Sequence, residues 1–188
     1  LQLSRKSIPL KYAGASAGAG LSVLAASNID AYRITDVAAK VLGRHAGKNI
    51  VTSPKIPIEF GQKFLSAFEP ELSLEALQGR VAISITKLRP FRNQLVSQFE
   101  SIPDLLSAIR ASCHLPSLSL PYIRFRGQPC VDGGMTWNSP NIGSNCLRVS
   151  PLWLDSRTDI SPSKKISPWW GIHVPSVPLI WKLFELGK

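Results

Sequence analysis

The feature that most constrains how this chain can fold is a pentapeptide near its N-terminus, Gly14-Ala15-Ser16-Ala17-Gly18. It follows an apolar run at 8–13, read as a buried strand, and precedes a stretch of small residues at 17–27, read as a helix. Gly-x-Ser-x-Gly between a strand and a helix is the pattern of a nucleophile elbow, where the reversal is so sharp that the serine backbone is strained. Side chains two positions either side would collide with the adjoining strand and helix, so Gly14 and Gly18 are both expected to be required. The elbow holds the serine hydroxyl proud of the sheet, beside the N–H groups that open the helix. Those groups and the helix dipole favour the negative charge of an acyl-transfer oxyanion. A Gly/Ala-rich turn entering a close-packed helix would leave the same trace without any chemistry.

At 188 residues the chain has the length of one domain, and 44% hydrophobic content with a mean hydropathy of +0.06 excludes disorder for most of it. It opens on Leu1, which reads as a fragment or a processed form, so no targeting segment can be read. The most apolar stretch, 13–26, is too short and too rich in Gly, Ala and Ser to span a bilayer. Cys113, Cys130 and Cys146 lack metal-ligand spacing. Free thiols in a reducing compartment are expected, with a Cys130–Cys146 disulfide as the alternative. The net charge of +10 is spread along the chain (Arg5, Lys6, Lys11, Arg33, Lys40, Arg44, Lys48, Lys55). It favours anionic partners, phospholipid head groups or nucleic acid; with no nucleic-acid-binding module in view, solvated surface is the default reading and a membrane surface the next.

Beyond the elbow, helical periodicity predicts a helix over 30–45 with Gly47 as its stop, and another over 58–68 after Pro54 and Pro57. Alternation predicts a strand over 80–88, a turn over 90–93 and a return strand over 94–99. Ser101-Ile102-Pro103-Asp104 resembles a capping box, so a helix should run to about 112. Segments 122–125 and 129–131 flank a Gly127-Gln128 hairpin signal, and 147–149 is read as a short final strand. Residues 1–150 are thus one α/β layered domain, and 151–188 a Pro- and Trp-rich tail, helical only at 179–186, that packs on the domain or a membrane surface. In the tail, Trp153, Trp169, Trp170 and Trp181, with Lys164 and Lys165 nearby, suit a membrane interface.

A second loaded segment is Val131-Asp132-Gly133-Gly134-Met135-Thr136-Trp137-Asn138-Ser139-Pro140. An Asp leaving a strand before two glycines points its carboxylate to where open α/β sheets place their sites, although an ordinary Asp-Gly turn looks the same. Together, the elbow and Asp132-Gly133-Gly134-x-x-x-Asn138-x-Pro140 resemble the patatin-like phospholipase family. The likeness is to its neutral-lipid-lipase branch, typified by adipose triglyceride lipase, and runs from about residue 8 to residue 151.

The resemblance implies a three-layer α/β/α sandwich with a mostly parallel central sheet. It implies a lipid acyl hydrolase of phospholipase or triacylglycerol lipase type, working through a Ser-Asp dyad and an acyl-enzyme intermediate. Ser16 would be the nucleophile and Asp132 its direct base, with Gly14, Ala17, Gly18, Gly133 and Gly134 as motif and oxyanion support. No cofactor, metal or nucleic acid is implied. The expected partner is an acyl lipid at a membrane or lipid-droplet surface, with an intracellular, peripheral location. An ordinary Asp, with a pKa near 3.9, is a weak base for a serine, so the oxyanion site must carry much of the burden. Patatin-like domains open with a strand and a Gly-rich oxyanion loop bearing a basic residue. Residues 1–7 contain no glycine, so this piece is expected to be N-terminally truncated and less active than a longer chain. Two rivals stand beside this reading. One is an α/β-hydrolase triad of Ser16, Asp132 and His173; the other is a non-catalytic lipid-binding or membrane-associated protein that keeps the fold.

Overall fold

The computed structural model describes residues 10–50, 52–53, 55–116, 120–143, 145–151, 158–162 and 173–187. The first strand, β1 (Tyr12–Gly14), turns through Ser16 into helix α1 (Ala17–Ala26). Helix α2 (Ala31–Leu42) is capped by the Asp30 carboxylate, which accepts from the Arg33 N–H, and a 3-10 turn, Gly43–His45, extends it. Helix α3 (Lys55–Ser66) starts three residues earlier than its prolines imply. Pro57 lies in the first turn, where a backbone N–H has no intrahelical acceptor to lose. A four-residue α4 (Leu74–Leu77) leads into β2 (Val81–Leu88), and β3 (Phe91–Val96) pairs back on it. The turn between them is only Arg89-Pro90, joined by a cis peptide bond, so Asn93, expected in the turn, lies in the strand.

Helix α5 (Ile102–Ser112) begins at Ser101, whose hydroxyl accepts the Asp104 N–H. Strands β4 (Ile123–Phe125) and β5 (Gln128–Asp132) form the expected hairpin around Arg126-Gly127, both at positive φ (46° and 75°) as a two-residue I′ turn requires. A short α6 (Gly134–Trp137) follows, and α7 (Val177–Leu186) closes the described chain. The expected strand at 147–149 is reduced to one bridge, Val149 to Ile160.

The α/β class holds, but the sheet is mixed rather than mostly parallel. Among the described residues β1 and β2 run parallel, whereas β2–β3, β2–β5 and β4–β5 are antiparallel. For β2–β3 and β4–β5 the reason is local. The hairpin turns at 89–90 and 126–127 are too short for a crossover, so each reverses the chain.

The register fixes the centre of the molecule. Ile83 pairs with Gly14 on one side and Val96 on the other, and Ile85 pairs with Asp132 and Gln94. With β3 filling one edge of β2, strands β1 and β5 share the other edge and run towards each other, their C-terminal ends opposite Ile83 and Ile85. Alternation along β2 then separates the faces. Val81, Ile83 and Ile85 are buried with Val23 and Leu24 of α1 and Leu105 and Ile109 of α5. Ser84 and Thr86 face α6 on the other side. Helices therefore cover both faces.

Of the tail, Val174 is buried and exchanges hydrogen bonds with the 47–48 backbone (Gly47 N–H to Val174 O, 2.9 Å; Val174 N–H to Lys48 O, 2.9 Å). The Trp181 ring of α7 lies 4.7 Å from that of Tyr32 of α2, tilted at 44°. Trp153, Trp169, Trp170, Lys164 and Lys165 lie outside the described residues. All three cysteines are free thiols, so no disulfide joins Cys130 to Cys146.

Candidate active site

Ser16 has φ 55° and ψ −132°, a conformation in which a non-glycine residue stores about 1–3 kcal/mol. What enforces it is close packing of the turn on itself. A Cβ on Gly14 would lie 2.0 Å from the Gly18 carbonyl oxygen, so residue 14 must be glycine. Residue 18 differs from expectation: a Cβ there meets nothing within 4 Å. It is the backbone of Gly18 that crowds Gly14, not the absence of its own side chain that matters.

The head-on approach of β1 and β5 brings the two motif residues into direct contact. The Ser16 hydroxyl donates to Asp132 Oδ2 at 2.7 Å, and the Gly134 N–H donates to Asp132 Oδ1 at 2.7 Å. Asp132 is only 4% exposed. Burial pushes its carboxyl above the ordinary range, and the bonds from Ser16 and Gly134 and the nearby His114 offset part of that rise. A Cβ on Gly133 would lie 1.9 Å from the Ser84 carbonyl oxygen, which fixes the second glycine requirement.

The N–H groups of three of the motif glycines are engaged within the protein. Gly18 donates to Ala15 O (2.9 Å), Gly133 to Ser112 O (3.2 Å) and Gly134 to Asp132. Their contribution is shape. The Ala17 N–H opens the ten-residue α1 and has no acceptor among the described residues.

Segment 112–114, at the end of α5, grips both halves of the site. The buried Ser112 hydroxyl accepts the Ser16 N–H at 2.9 Å, its carbonyl accepts from Gly133, and the His114 carbonyl accepts the Asp132 N–H at 2.8 Å. His114 Nε2 lies 3.1 Å from the Leu120 carbonyl, which only accepts, so Nε2 carries the proton. Burial lowers the His114 pKa. Burial, then the Asp132 charge, pushes the Cys113 thiol up to about 12.

Behind Asp132 a directional chain of polar groups spans β3, α6 and β2. Asn93 Nδ2 donates to Thr136 Oγ1 (2.9 Å), the Thr136 hydroxyl to Thr86 Oγ1 (2.7 Å), and the Thr86 hydroxyl to the Asp132 carbonyl (2.7 Å). Asn93 also donates to Ser84 Oγ at 2.8 Å. Neither Ser112 nor this chain was anticipated. The signal for the latter was polar Ser84 and Thr86 between Val81, Ile83 and Ile85 on an interior strand.

His173 is not part of the constellation. It is exposed, forms an isolated bridge with Asn49, and its Nε2 lies 3.4 Å from Asn49 Nδ2. Ser16 reaches Asp132 directly, with no imidazole between them. Among the described residues no group of three or more His, Cys, Asp or Glu is placed to hold a metal ion.

No protein-family model matches the chain. Curated relatives do. Over 170 residues, 88% of this chain and 41% of the relative, it is 29% identical to 1-acylglycerol-3-phosphate O-acyltransferase Pnpla3 of Mus musculus. It is 36% identical over 98 residues (51% of this chain, 38% of the relative) to patatin-like phospholipase domain-containing protein 4 of Homo sapiens. It is also 31% identical over 134 residues (69% and 25%) to omega-hydroxyceramide transacylase of Homo sapiens. The chain spans 25 to 41% of the length of these three relatives. With the elbow and the Asp-Gly-Gly loop meeting in one site, these similarities make the chain a homologue, at modest identity over much of its length, of patatin-like phospholipase domain proteins.

Proposed function

We propose that this chain carries the acyl-transfer site of a lipid acyl hydrolase, with Ser16 as nucleophile and Asp132 as its direct base. The observation that carries the reading is the 2.7 Å bond from the strained Ser16 hydroxyl to a buried carboxylate. In the first step Ser16 Oγ attacks the ester carbonyl and its proton passes to Asp132 Oδ2. The carbonyl oxygen becomes an oxyanion beside the Ala17 N–H. Collapse breaks the ester C–O bond, and the leaving alkoxide takes the proton from Asp132. Water then attacks the acyl-Ser16 carbonyl, giving its proton to Asp132, and release of the fatty acid returns that proton to Ser16. Burial supports the role because it raises the basicity of a carboxylate that is otherwise a poor partner for a serine.

The names of the relatives, a phospholipase-domain protein, an acyltransferase and a transacylase, all describe lipids or acyl groups changing partners. Hydrolysis and transacylation share the acyl-enzyme and differ only in whether water or another hydroxyl takes the acyl group. The substrate ester would be met at a lipid surface, for which the net charge of +10 is suited. Among the described residues no helix is long and apolar enough to cross a membrane.

A fluorophosphonate probe, which reacts only with activated serines, tests the reading. Labelling should map to Ser16, vanish in Ser16→Ala and slow by about 100-fold or more in Asp132→Asn. His173→Ala should label at the unaltered rate. A folded protein whose Ser16 is not labelled would favour the non-catalytic lipid-binding reading. Loss of labelling in His173→Ala would restore the triad.

A further inference from the structure

We infer that the cavity between α3 and the end of α5 receives the first carbons of the acyl chain, with Gly61 setting how much chain fits; this rests on the acyl-transfer reading above. The cavity has a volume of about 140 Å³. Ile58, Gly61 and Leu65 of α3 form one wall, and Ile109 and Cys113 of α5 with His114 form the other. Its remaining lining is mostly aliphatic side chains and proline, with Arg110 as the single charged group. An apolar chain is the ligand such walls favour.

Its position ties it to the chemistry. Cys113 and His114 belong to the 112–114 segment, which holds the Ser16 N–H through Ser112 Oγ at 2.9 Å and the Asp132 N–H through the His114 carbonyl at 2.8 Å. The Cys113 and His114 side of the cavity is therefore continuous with the segment that positions nucleophile and carboxylate, and both residues lie close enough to feel the Asp132 charge. The His114 ring does not make the space polar, since its Nε2 proton is directed at the Leu120 carbonyl 3.1 Å away and burial favours its neutral form.

Volume limits the occupant. An apolar cavity of about 150 Å³ accommodates benzene, so this one has room for about six carbons. Each methylene buried is worth about fourfold in kcat/KM. Selectivity should therefore climb from a two-carbon to a six-carbon acyl chain by up to ~10²-fold and then level off, as further carbons must leave the cavity. Gly61 lines the space, lies inside helix α3, and would carry a Cβ that meets no atom within 4 Å. A side chain there has room to grow without displacing backbone, and replacing an interior helical glycine favours the helix.

The test pairs Gly61→Leu with Ile58→Ala, which opens the half-exposed end of the same wall. Turnover of p-nitrophenyl esters with two-, six- and twelve-carbon acyl chains is measured for each. Binding of cis-parinaric acid, a fluorescent fatty acid, is measured in the Ser16→Ala background. Gly61→Leu should leave two-carbon turnover near the parent value, cut the six-to-two-carbon preference to below about tenfold, and weaken fatty-acid binding at least tenfold. Ile58→Ala should shift the plateau to longer chains. An unchanged chain-length preference and fatty-acid affinity in Gly61→Leu would overturn the inference. If no ester is turned over yet the affinity follows Gly61, the cavity stands and the acyl-transfer reading fails.

Discussion

Ser112→Ala is the most direct test of how the elbow is held, because it removes one oxygen from the interior and almost no volume. Its Oγ accepts the Ser16 N–H at 2.9 Å. A backbone hydrogen bond of this kind contributes about 0.5–1.5 kcal/mol net, and leaving a part-buried N–H without a partner costs about 1–3 kcal/mol. Ser16 meanwhile sits at φ 55°, where relaxing towards an ordinary conformation would recover part of ~1–3 kcal/mol. The two terms are of similar size, so losing the acceptor should tip the elbow towards relaxation. We expect a stability loss of about 1–2 kcal/mol, read as a lower urea midpoint with unchanged m. A displacement of about 1 Å at a reacting atom is worth ~10² in rate, so fluorophosphonate labelling of Ser16 should slow about 10- to 100-fold. The acid limb of the labelling profile, which belongs to Asp132, should not move. Ser112→Thr keeps the hydroxyl and should recover most of the rate. Labelling of Ser112→Ala at the parent rate would refute the argument. So would a slow Ser112→Ala that Thr fails to rescue despite equal stability.

Gly14→Ala and Gly18→Ala should separate sharply in urea denaturation. The first forces a Cβ to 2.0 Å from backbone and should cost more than ~4 kcal/mol, while the second meets nothing within 4 Å and should be neutral or stabilising by up to ~1 kcal/mol. Asp132→Asn should slow labelling by about 100-fold or more yet fold at least as stably at neutral pH. The buried carboxyl has a raised pKa, so its contribution to stability is fully present below the ordinary Asp range and lost as pH rises through the raised value. The stability advantage of Asn should therefore grow on going from about pH 4 to neutrality in thermal melts. Arg126 bridges the β4–β5 turn to Asp104 of α5 at 2.5 Å and holds that carboxyl below its ordinary value. Its contribution, at most ~1 kcal/mol given a partly exposed guanidinium, should be present above the ordinary Asp range and vanish as pH falls through the lowered value; Asp104→Asn should lack that step.

Local chemistry made much of this legible in the sequence. The elbow, the Ser101 cap and the alternation of 81–88 are written in adjacent residues, and each appears where it was expected. What adjacent residues do not encode is which strand meets which. The Asp132 loop was expected at the mouth of a mostly parallel sheet, but β5 runs antiparallel to β2; the two-residue turn at Arg126-Gly127 sets its direction only against β4, and its direction on β2 comes from tertiary pairing. Ser112 was invisible for a related reason. A serine in the last turn of a helix is unremarkable locally, and its role exists only through a contact 96 residues away. Likewise Gly18 completes the motif, yet only three-dimensional crowding separates it from Gly14.

The direct Ser-Asp contact follows from that strand arrangement. Strands lying side by side are about 4.8 Å apart. Here β1 and β5 lie end to end along one edge of β2, stopping opposite Ile83 and Ile85. Only Ser84 separates those positions, a spacing of about 6–7 Å along an extended strand. Across that short gap the hydroxyl and the carboxylate meet at 2.7 Å. The same narrowness explains the glycines. Gly14 packs against the returning helix, and Gly133 packs against the carbonyl of Ser84, the one residue in the gap. Both motifs can therefore be read as the steric terms on which two opposed strands end within one hydrogen bond of each other.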